Sequence, residues 1–324
     1  MIMISQKPEV RALLATALLT IATGAYGADS YPSKAITLIV PYAAGGNADS
    51  QARALSPCLA DQLGTTIRII NRPGSAGSIG TLELSKAKPD GYTISVNSVT
   101  PYVIGPLTVQ NSGYTTKDLE TFGFVSSVPI VIFVNKDSKY KTLKDLIEAS
   151  KEKNLVIAVP GRNSLQDLIA QKFEENYGAK FNVVPTDSMT EIIRGVNAGD
   201  YIAGVTSLSK ALFPRIENHD VTVLARGGDA GYKYLGDVPT YEQAGYGNLL
   251  PSTEISVPLA APAGIPKEIA TKIRSSLETC LTKPNVRTSI GEKMIPDSFV
   301  SGETANDQYS KLSEVIAASL KANK

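Results

Sequence analysis

Tryptophan is absent from the 324-residue sequence, and the only histidine is His219. A Ser-His-Asp hydrolase would have to use that histidine as its base. It lies in the polar segment 215–220 between predicted elements, so we interpret it as a surface loop residue. The Gly-x-Ser-x-Gly nucleophile elbow and the glycine-rich phosphate loop that ends in Gly-Lys-Ser/Thr are also missing. An enzyme is therefore the least favoured class of function.

Cysteine occurs only twice, at Cys58 and Cys280, which excludes a metal centre built on Cys-x-x-Cys pairs. We predict neither a metal nor a cofactor. Both cysteines lie in predicted helices that we assign to one domain, and an oxidising compartment permits a bond between them. We therefore favour a disulfide over the alternative of two separate buried thiols.

Neither sign of charge is in excess, because 32 lysines and arginines are balanced by 31 acidic residues. This balance excludes the strong basic field that is typical of proteins that bind nucleic acids or membrane surfaces. The composition is otherwise that of an ordinary globular protein, with 43% hydrophobic and 19% charged residues.

Long apolar runs are lacking after the N-terminus. There, basic residues precede an almost wholly apolar segment at 12–22, and small residues follow it. This order predicts a signal peptide over residues 1–27, cleaved after Gly27 or Ala28 on export to the periplasm. A membrane anchor is the alternative, but the run is shorter than the roughly 20 residues that a span needs.

Two strand–glycine–helix units are the main positive signal. The apolar run at 36–40 opens into a loop with Gly45 and Gly46, and the run at 67–70 opens into a loop at 71–80. A helical pattern follows each loop. Such units place bare backbone N–H groups and the positive end of a helix dipole at the carboxyl edge of a parallel sheet. We therefore predict a site for a small anion, with turn chemistry alone as the alternative.

Four side chains near these units or in the second domain enter the prediction. Asp49 would repel a ligand carboxylate, so we assign it a supporting role, in which it caps N–H groups and fixes the loop. Ser98 and Thr100 follow a strand and offer hydroxyl groups, and a solvated loop explains them equally well. Arg162 is the only cation in the predicted cleft loops of the second domain. We consider that it pairs with a distal carboxylate of a diacid, or is simply a surface arginine.

Strands and helices alternate along the chain, which indicates an α/β fold with parallel strands. After the signal peptide, roughly 295 residues remain, which is large for one core. The β-rich runs near 125–131 and 254–259 are interpreted as two crossings between domains. Domain 1 then comprises residues 28–126 and 254–324, and domain 2 comprises residues 127–253. Two crossings leave a central cleft and a hinge that permits closure on a ligand.

Several short motifs follow one another along the chain. They are Ile-Val-Pro-Tyr-Ala-Ala-Gly-Gly-x-x-Asp at 39–49, Asn-Arg-Pro-Gly-x-x-Gly-x-Ile-Gly at 71–80, Pro-Asp-Gly-Tyr-Thr at 89–93, Asp-Val-Pro-Thr at 237–240 and Ala-Pro-Ala-Gly-Ile-Pro at 261–266. In this combination the chain resembles the Bug family, the substrate-binding proteins of tripartite tricarboxylate transporters. The resemblance implies a type II periplasmic-binding-protein fold, in which two α/β domains close on an organic acid.

The resemblance also implies which residues form the site. Backbone amides of the first-domain loops would hold one ligand carboxylate, partly through bridging waters, and the second domain would supply specificity. The residues carried over are Tyr42, Ala43, Ala44, Gly45, Gly46, Asn47, Gly74, Ser75, Ala76, Gly77, Ser78, Ser98 and Thr100 in the first domain, and Arg162, Asn163, Ser164 and Asp187 in the second.

The chain departs from the family pattern in the second domain. Arg162 lies in a loop that is usually small and rich in serine, glycine and threonine. Thr-Asp-Ser replaces the usual Tyr-Lys-Gly after Pro185, and Ser256 stands where a tryptophan is common. The anion anchor therefore carries over more fully than the specificity loops.

The leading hypothesis is a periplasmic receptor that captures a small di- or tricarboxylic or aromatic acid. It would deliver that acid to the membrane subunits of a tripartite tricarboxylate transporter. We expect a monomer with no nucleic-acid partner. A second hypothesis is a ligand-sensing subunit that presents its closed form to a membrane sensor kinase. An exported enzyme is the third.

Overall fold

Nine strands form one mixed sheet in the computed structural model, which describes residues 31–162, 164–186, 188–209, 211–228 and 232–322. The predicted signal peptide and its cleavage site lie outside these residues. From Lys34 onward the described chain forms one compact unit. The strands are β1 (Ile36–Val40), β2 (Ile67–Asn71), β3 (Thr93–Val96), β4 (Leu119–Asn135), β5 (Leu155–Val159), β6 (Phe181–Pro185), β7 (Ala203–Ser207), β8 (Val221–Arg226) and β9 (Glu254–Pro262).

Helices follow most of the strands. None of those in the described ranges has both the length and the apolar composition needed to cross a bilayer. The α-helices are α1 (Asn47–Leu63), α2 (Ser78–Ser85), α3 (Gly105–Thr108), α4 (Leu143–Glu152), α5 (Leu165–Tyr177), α6 (Met189–Ala198), α7 (Phe213–Glu217), α8 (Lys267–Leu281), α9 (Pro284–Ile290) and α10 (Gly302–Ala322). Single 3₁₀ turns lie at Ser75–Gly77, Thr116–Asp118, Lys233–Leu235 and Glu292–Met294, and a π-helical turn covers Thr100–Ile104.

The sheet is parallel towards both ends and antiparallel in the middle. The strand order is β2-β1-β3-β9-β4-β7-β5-β6, and β8 also pairs with β4. Strand β1 pairs in parallel with β2 and β3, and β5 pairs in parallel with β6 and β7. Helices follow these parallel strands because a parallel connection needs a crossover. The predicted α/β architecture is thus confirmed.

Strand β4 joins the two parallel groups. Its first part, from Leu119 to Pro129, pairs with β9, and its last part, from Ile130 to Asn135, pairs with β7 and β8. The register shifts between Thr121 and Gly123, as expected where a long strand bends. Strands β4 and β9 contain the two segments, 125–131 and 254–259, that the sequence analysis interprets as crossings between domains. The division of the chain into two closing domains stays a prediction.

Helix α1 anchors the first parallel group. Its apolar face buries Ala52, Leu55 and Leu59, and it packs against α8 and α9. The apolar spacing predicts this helix over 49–63, but the helix begins two residues earlier, at Asn47. It continues through Pro57 and ends at Gly64, whose φ of 70° suits glycine.

A disulfide joins α1 to α8. The sulfurs of Cys58 and Cys280 are bonded, and their Cα atoms lie 5.8 Å apart. Because Cys58 is in α1, this bond fixes the helix whose N-terminus follows the first glycine loop.

After the second glycine loop, the sequence predicts a helix over 80–88, and both ends of this prediction are wrong. Helix α2 begins at Ser78 and ends at Ser85, and the 3₁₀ turn Ser75–Gly77 precedes it. The start is earlier because the turn already directs the chain into the helix, which the spacing of apolar residues could not indicate.

Candidate functional site

The loop that follows β1 leads directly into the N-terminus of α1. Gly46 is the N-cap residue, and no side chain caps the first turn. The N–H groups of a first helical turn have no partner within the helix. Residues 43–47 are exposed, and Gly45 has a φ of 83° that glycine adopts without steric cost. The junction therefore offers backbone N–H groups to an anion.

Asp49 fixes this loop through a buried carboxylate. Its side chain is 2% exposed, and Oδ2 accepts hydrogen bonds from the N–H of Gly45 at 2.8 Å and from Nε of Arg53 at 2.9 Å. The hydrogen bond with Arg53 is the main cause that lowers the pKa of Asp49 to about 2. The expectation of bare N–H groups is therefore wrong for Gly45. Asp49 accepts from the loop that precedes the helix, and not from the first helical turn.

Asn71 ties the first glycine loop to the end of β2. Its Nδ2 donates to the carbonyl oxygen of Tyr42 at 3.0 Å and to Oδ1 of Asp49 at 2.9 Å. Asn71 is the last residue of β2 and lies opposite Val40, the last residue of β1. The sequence places Asn71 in a motif but not in the predicted site. Its position at the carboxyl edge, one strand from Tyr42, is the signal that could have found it.

The loop after β2 has an unusual backbone. Four consecutive residues have positive φ values: Gly74 at 130°, Ser75 at 46°, Ala76 at 52° and Gly77 at 95°. Residues with a side chain adopt this region at a cost of about 1 to 3 kcal/mol each, and such residues cluster at binding sites. The surrounding fold therefore holds Ser75 and Ala76, both exposed, in a conformation that they would not choose alone.

The two glycine loops and the segment after β3 meet at Gly77. A Cβ atom on Gly77 would lie 2.9 Å from Cγ of Pro101 and 3.2 Å from Cζ of Tyr42. Cβ atoms in proteins essentially never lie within 3.0 Å of such a neighbour, so only glycine fits at position 77 without a shift of Pro101. The structure thus brings together the three first-domain segments that the resemblance assigned to the site.

Tyr42 and Ser98 are neighbours where these segments meet. Burial raises the pKa of the Tyr42 phenol to about 12, and a hydrogen bond with the Ser98 side chain acts in the opposite direction. Oγ of Ser98 also accepts from the N–H of Thr100 at 3.4 Å. The Ser98 hydroxyl therefore helps to shape the loop, and Thr100 begins the π-helical turn.

Ser78 is also a predicted contact, but it is buried, with 5% of its surface exposed. It begins α2, with Gly77 as the N-cap residue, and its N–H donates to the carbonyl oxygen of Ser75. Its backbone N–H is therefore engaged within the loop.

In the second predicted domain, Arg162 and Ser164 have partners within the protein. Nη2 of Arg162 donates to the carbonyl oxygen of Val183 at 2.9 Å, and Nη1 lies 3.6 Å from Oδ1 of Asp167. Oγ of Ser164 accepts from the N–H of Asp167 at 3.1 Å and donates to the carbonyl oxygen of Gly161 at 3.0 Å. Ser164 therefore caps α5. Asn163 and Asp187, the other two predicted contacts, lie outside the described residues.

A cavity of about 600 Å³ lies elsewhere, beside the start of β9. Arg226, Thr253 and Glu254 line it together with Gln308 of α10. Arg226 is buried, with 7% of its surface exposed, and donates to the carbonyl oxygens of Gly227 and Gly228. None of the residues predicted to contact the ligand lines this cavity. It is therefore an alternative binding site for a ligand.

The position of Gly45 allows a controlled test of the first loop. A Cβ atom there meets nothing within 4 Å, and the same holds for Gly199 at the end of α6, where φ is also 83°. We expect Gly45→Ala and Gly199→Ala to lose similar stability, about 1 to 2 kcal/mol each, because alanine disfavours this backbone conformation. Only Gly45→Ala should weaken ligand binding, by about tenfold, because its methyl group enters the anion position.

Isothermal titration with an acid that binds the unaltered protein would measure this difference, with thermal unfolding as the check on stability. Equal affinities of the two variants would remove Gly45 from the site.

Comparisons of the sequence with a family model and with curated proteins both indicate one known family. The model of the TctC family, described as tripartite tricarboxylate transporter family receptor, matches residues 51–318. A UPF0065 protein from the TAR-I ttuE-ttuC' intergenic region of Agrobacterium vitis is 30% identical over 268 residues, which are 80% of this chain and 74% of that protein. Protein BugT of Bordetella pertussis is 28% identical over 258 residues, 78% of each chain.

Solved structures share the fold. A TctC solute-binding protein from Polaromonas, without ligand, superposes with a TM-score of 0.80 at 23% identity, over 89% of this chain and 99% of its own. MatC from Rhodopseudomonas palustris with bound malate gives a TM-score of 0.66 at 20% identity, over 89% of this chain and 99% of MatC. A second R. palustris protein, with adipate, gives a TM-score of 0.66 at 23% identity, over 90% of this chain and 96% of its own.

These findings confirm both the predicted periplasmic-binding-protein fold and the resemblance to Bug proteins. The family model spans most of the chain, and the solved relatives match nearly all of their own length. The chain belongs to the TctC family of tripartite tricarboxylate transporter receptors, which bind solutes and are not enzymes.

Proposed function

We propose that this receptor binds a small carboxylate at the junctions of the two glycine loops with α1 and α2. The observation that carries the proposal is the hydrogen-bonded link from Asp49 through Asn71 to Tyr42, which sets one loop against the other. Two helix N-termini then point towards one edge of the sheet, where a carboxylate gains from the N–H groups and the dipoles.

The chemistry of the loops favours a carboxylate over a cation or a sugar. Residues 43–47, Ser75 and Ala76 are exposed, and they carry no charged side chain. Asp49, the acidic group that accepts from Gly45 of the first loop, is buried and paired with Arg53. The positive ends of the helix dipoles therefore remain available to an anion. Relatives with bound malate and adipate support the same class of ligand.

The second half of the chain would complete the site. We propose that residues 127–253 form a domain that closes on the first, and that the 161–164 and 185–189 loops select the ligand. Arg162 would have to leave Val183 and Asp167 in order to pair with a second carboxylate. Because its side chain is 59% exposed, such a movement breaks contacts that solvent already weakens.

The route of the ligand follows from the family. We propose export by the signal peptide at 1–27, with cleavage after Gly27 or Ala28, and delivery of the acid to transporter membrane subunits by a monomeric receptor. This assignment takes precedence over a sensor subunit because the family description names a transporter receptor.

A thermal-shift screen tests the proposed ligand class. A ligand at one hundred times its Kd stabilises the folded state by about 2.7 kcal/mol, which is a rise in Tm of roughly 5 °C for a chain of this size. We expect such a rise with some mono-, di- or tricarboxylates and none with sugars or amines at equal concentration. A rise with sugars or amines alone would contradict the proposal.

A further inference from the structure

Ile79 is unusual because it is a large apolar side chain left in solvent. It is 52% exposed, and no other large hydrophobic side chain in the part of the chain that the structure describes is exposed. Ile79 is not part of the hydrophobic core. On the same helix, Thr81 and Leu84 are fully buried and face the sheet. A single exposed apolar residue is ordinary, so its meaning depends on where it lies.

Ile79 lies over the strained loop. It is the second residue of α2, and a Cβ atom on Gly74 would overlap its Cδ1 atom. Helical side chains lean towards the N-terminus of their helix, which brings this one back onto the loop. The exposed methyl groups of Ile79 therefore border the positive-φ segment that begins at Gly74.

The neighbouring exposed residues have little apolar surface. Residues 43–47 are alanine, glycine and asparagine, and the exposed residues of the second loop before Ile79 are Arg72, Pro73, Ser75 and Ala76. Arg72 is charged and pairs with Glu83, and Pro73 and Ala76 are compact. A ligand held by backbone N–H groups at these two loops would therefore meet one extended, uncharged hydrocarbon side chain, that of Ile79, beside its anchored end.

We propose that Ile79 contacts the hydrocarbon part of the bound acid and selects acids with an extended methylene chain over shorter ones. This inference rests on the proposed carboxylate site. It assigns the polar end of the ligand to the backbone of the two loops and the adjoining carbon chain to Ile79.

The test is a series of straight-chain diacids, from malonate through succinate and glutarate to adipate, titrated into the unaltered protein and Ile79→Ala. Burial of one methylene group changes an affinity by roughly fourfold. We expect a loss below about twofold for malonate that grows to roughly five- to tenfold for adipate. Ile79→Leu, which keeps the apolar area, should restore the dependence on chain length.

Two results would overturn the inference while leaving the carboxylate site in place: an equal loss for all four acids, or no loss for any. If the unaltered protein binds none of them, the proposed function fails for this class of acid, and the role of Ile79 fails with it. Folding is a separate readout, and we expect the Tm of Ile79→Ala to stay within about 2 °C of the original, because the lost side chain is half exposed.

Discussion

Replacing both Cys58 and Cys280 by alanine is expected to lower the free energy of unfolding by about 4 kcal/mol, with a fall in Tm of roughly 7 °C. The two residues are 222 positions apart, so their bond restricts a very long loop in the unfolded chain. Alanine is the better replacement because Cys280 is completely buried, and a serine hydroxyl there would need a hydrogen-bond partner.

Thermal unfolding with and without reductant measures this effect. Reductant should lower the Tm of the unaltered protein to that of the double variant and leave the variant unchanged. If the reductant frees both thiols and the Tm of the unaltered protein does not change, the stabilising role of the bond is contradicted.

Replacing Asp49 by alanine is expected to lower the free energy of unfolding by about 2 kcal/mol and to weaken carboxylate binding by at least about tenfold. The pKa of Asp49 is about 2, against about 3.9 in an unfolded chain. The full difference corresponds to about 2.6 kcal/mol, which we reduce because the partner Arg53 is 55% exposed and is screened by solvent. Binding falls because Gly45 and Asn71 lose the acceptor that holds the two loops together.

The stability that Asp49 contributes should decrease at low pH. The folded state lowers the pKa of Asp49, so the stabilisation is complete above pH 4 and is lost as the pH falls from about 4 to about 2. Unfolding of Asp49→Asn, measured over the same range, should lack this component.

Asp145 provides the matched control, because it also lies in a first helical turn and accepts from backbone N–H groups that precede its helix, at Lys141 and Thr142. Asp145→Ala should lose stability without losing affinity. Similar losses of affinity in Asp49→Ala and Asp145→Ala would show that only general stability is involved.

The sequence was sufficient to predict much of the structure around the two glycine loops. The β-branched runs, the glycines after them and the apolar spacing in α1 all indicate the same α/β units, since local preferences and the burial pattern agree. The Ser164-x-x-Asp167 spacing before an apolar run is a capping signal, so the role of Ser164 at the start of α5 could also have been predicted.

Other features depend on tertiary contacts and could not be predicted from local patterns. The hydrogen bond from Gly45 to Asp49 and the bridge through Asn71 require two strands to lie side by side. The positive φ values of Ser75 and Ala76 oppose their own preferences, so tertiary packing has to hold them, and the adjacent Gly77 lies close to Tyr42 and Pro101.

Ser256 illustrates the same limit. Where the family pattern led us to expect a tryptophan, its hydroxyl lies 2.7 Å from that of Tyr309, which is buried against Tyr102 and Phe124. Aromatic rings contributed by three distant segments of the chain are thus gathered beside Ser256, which no local reading of the sequence could reveal.

A crystal structure with the acid that raises the Tm most would test the central claim directly. We expect a carboxylate oxygen within about 3.2 Å of backbone N–H groups in both the 43–47 and the 74–78 segments. An acid bound instead in the cavity beside Arg226, with both loops vacant, would contradict the claim.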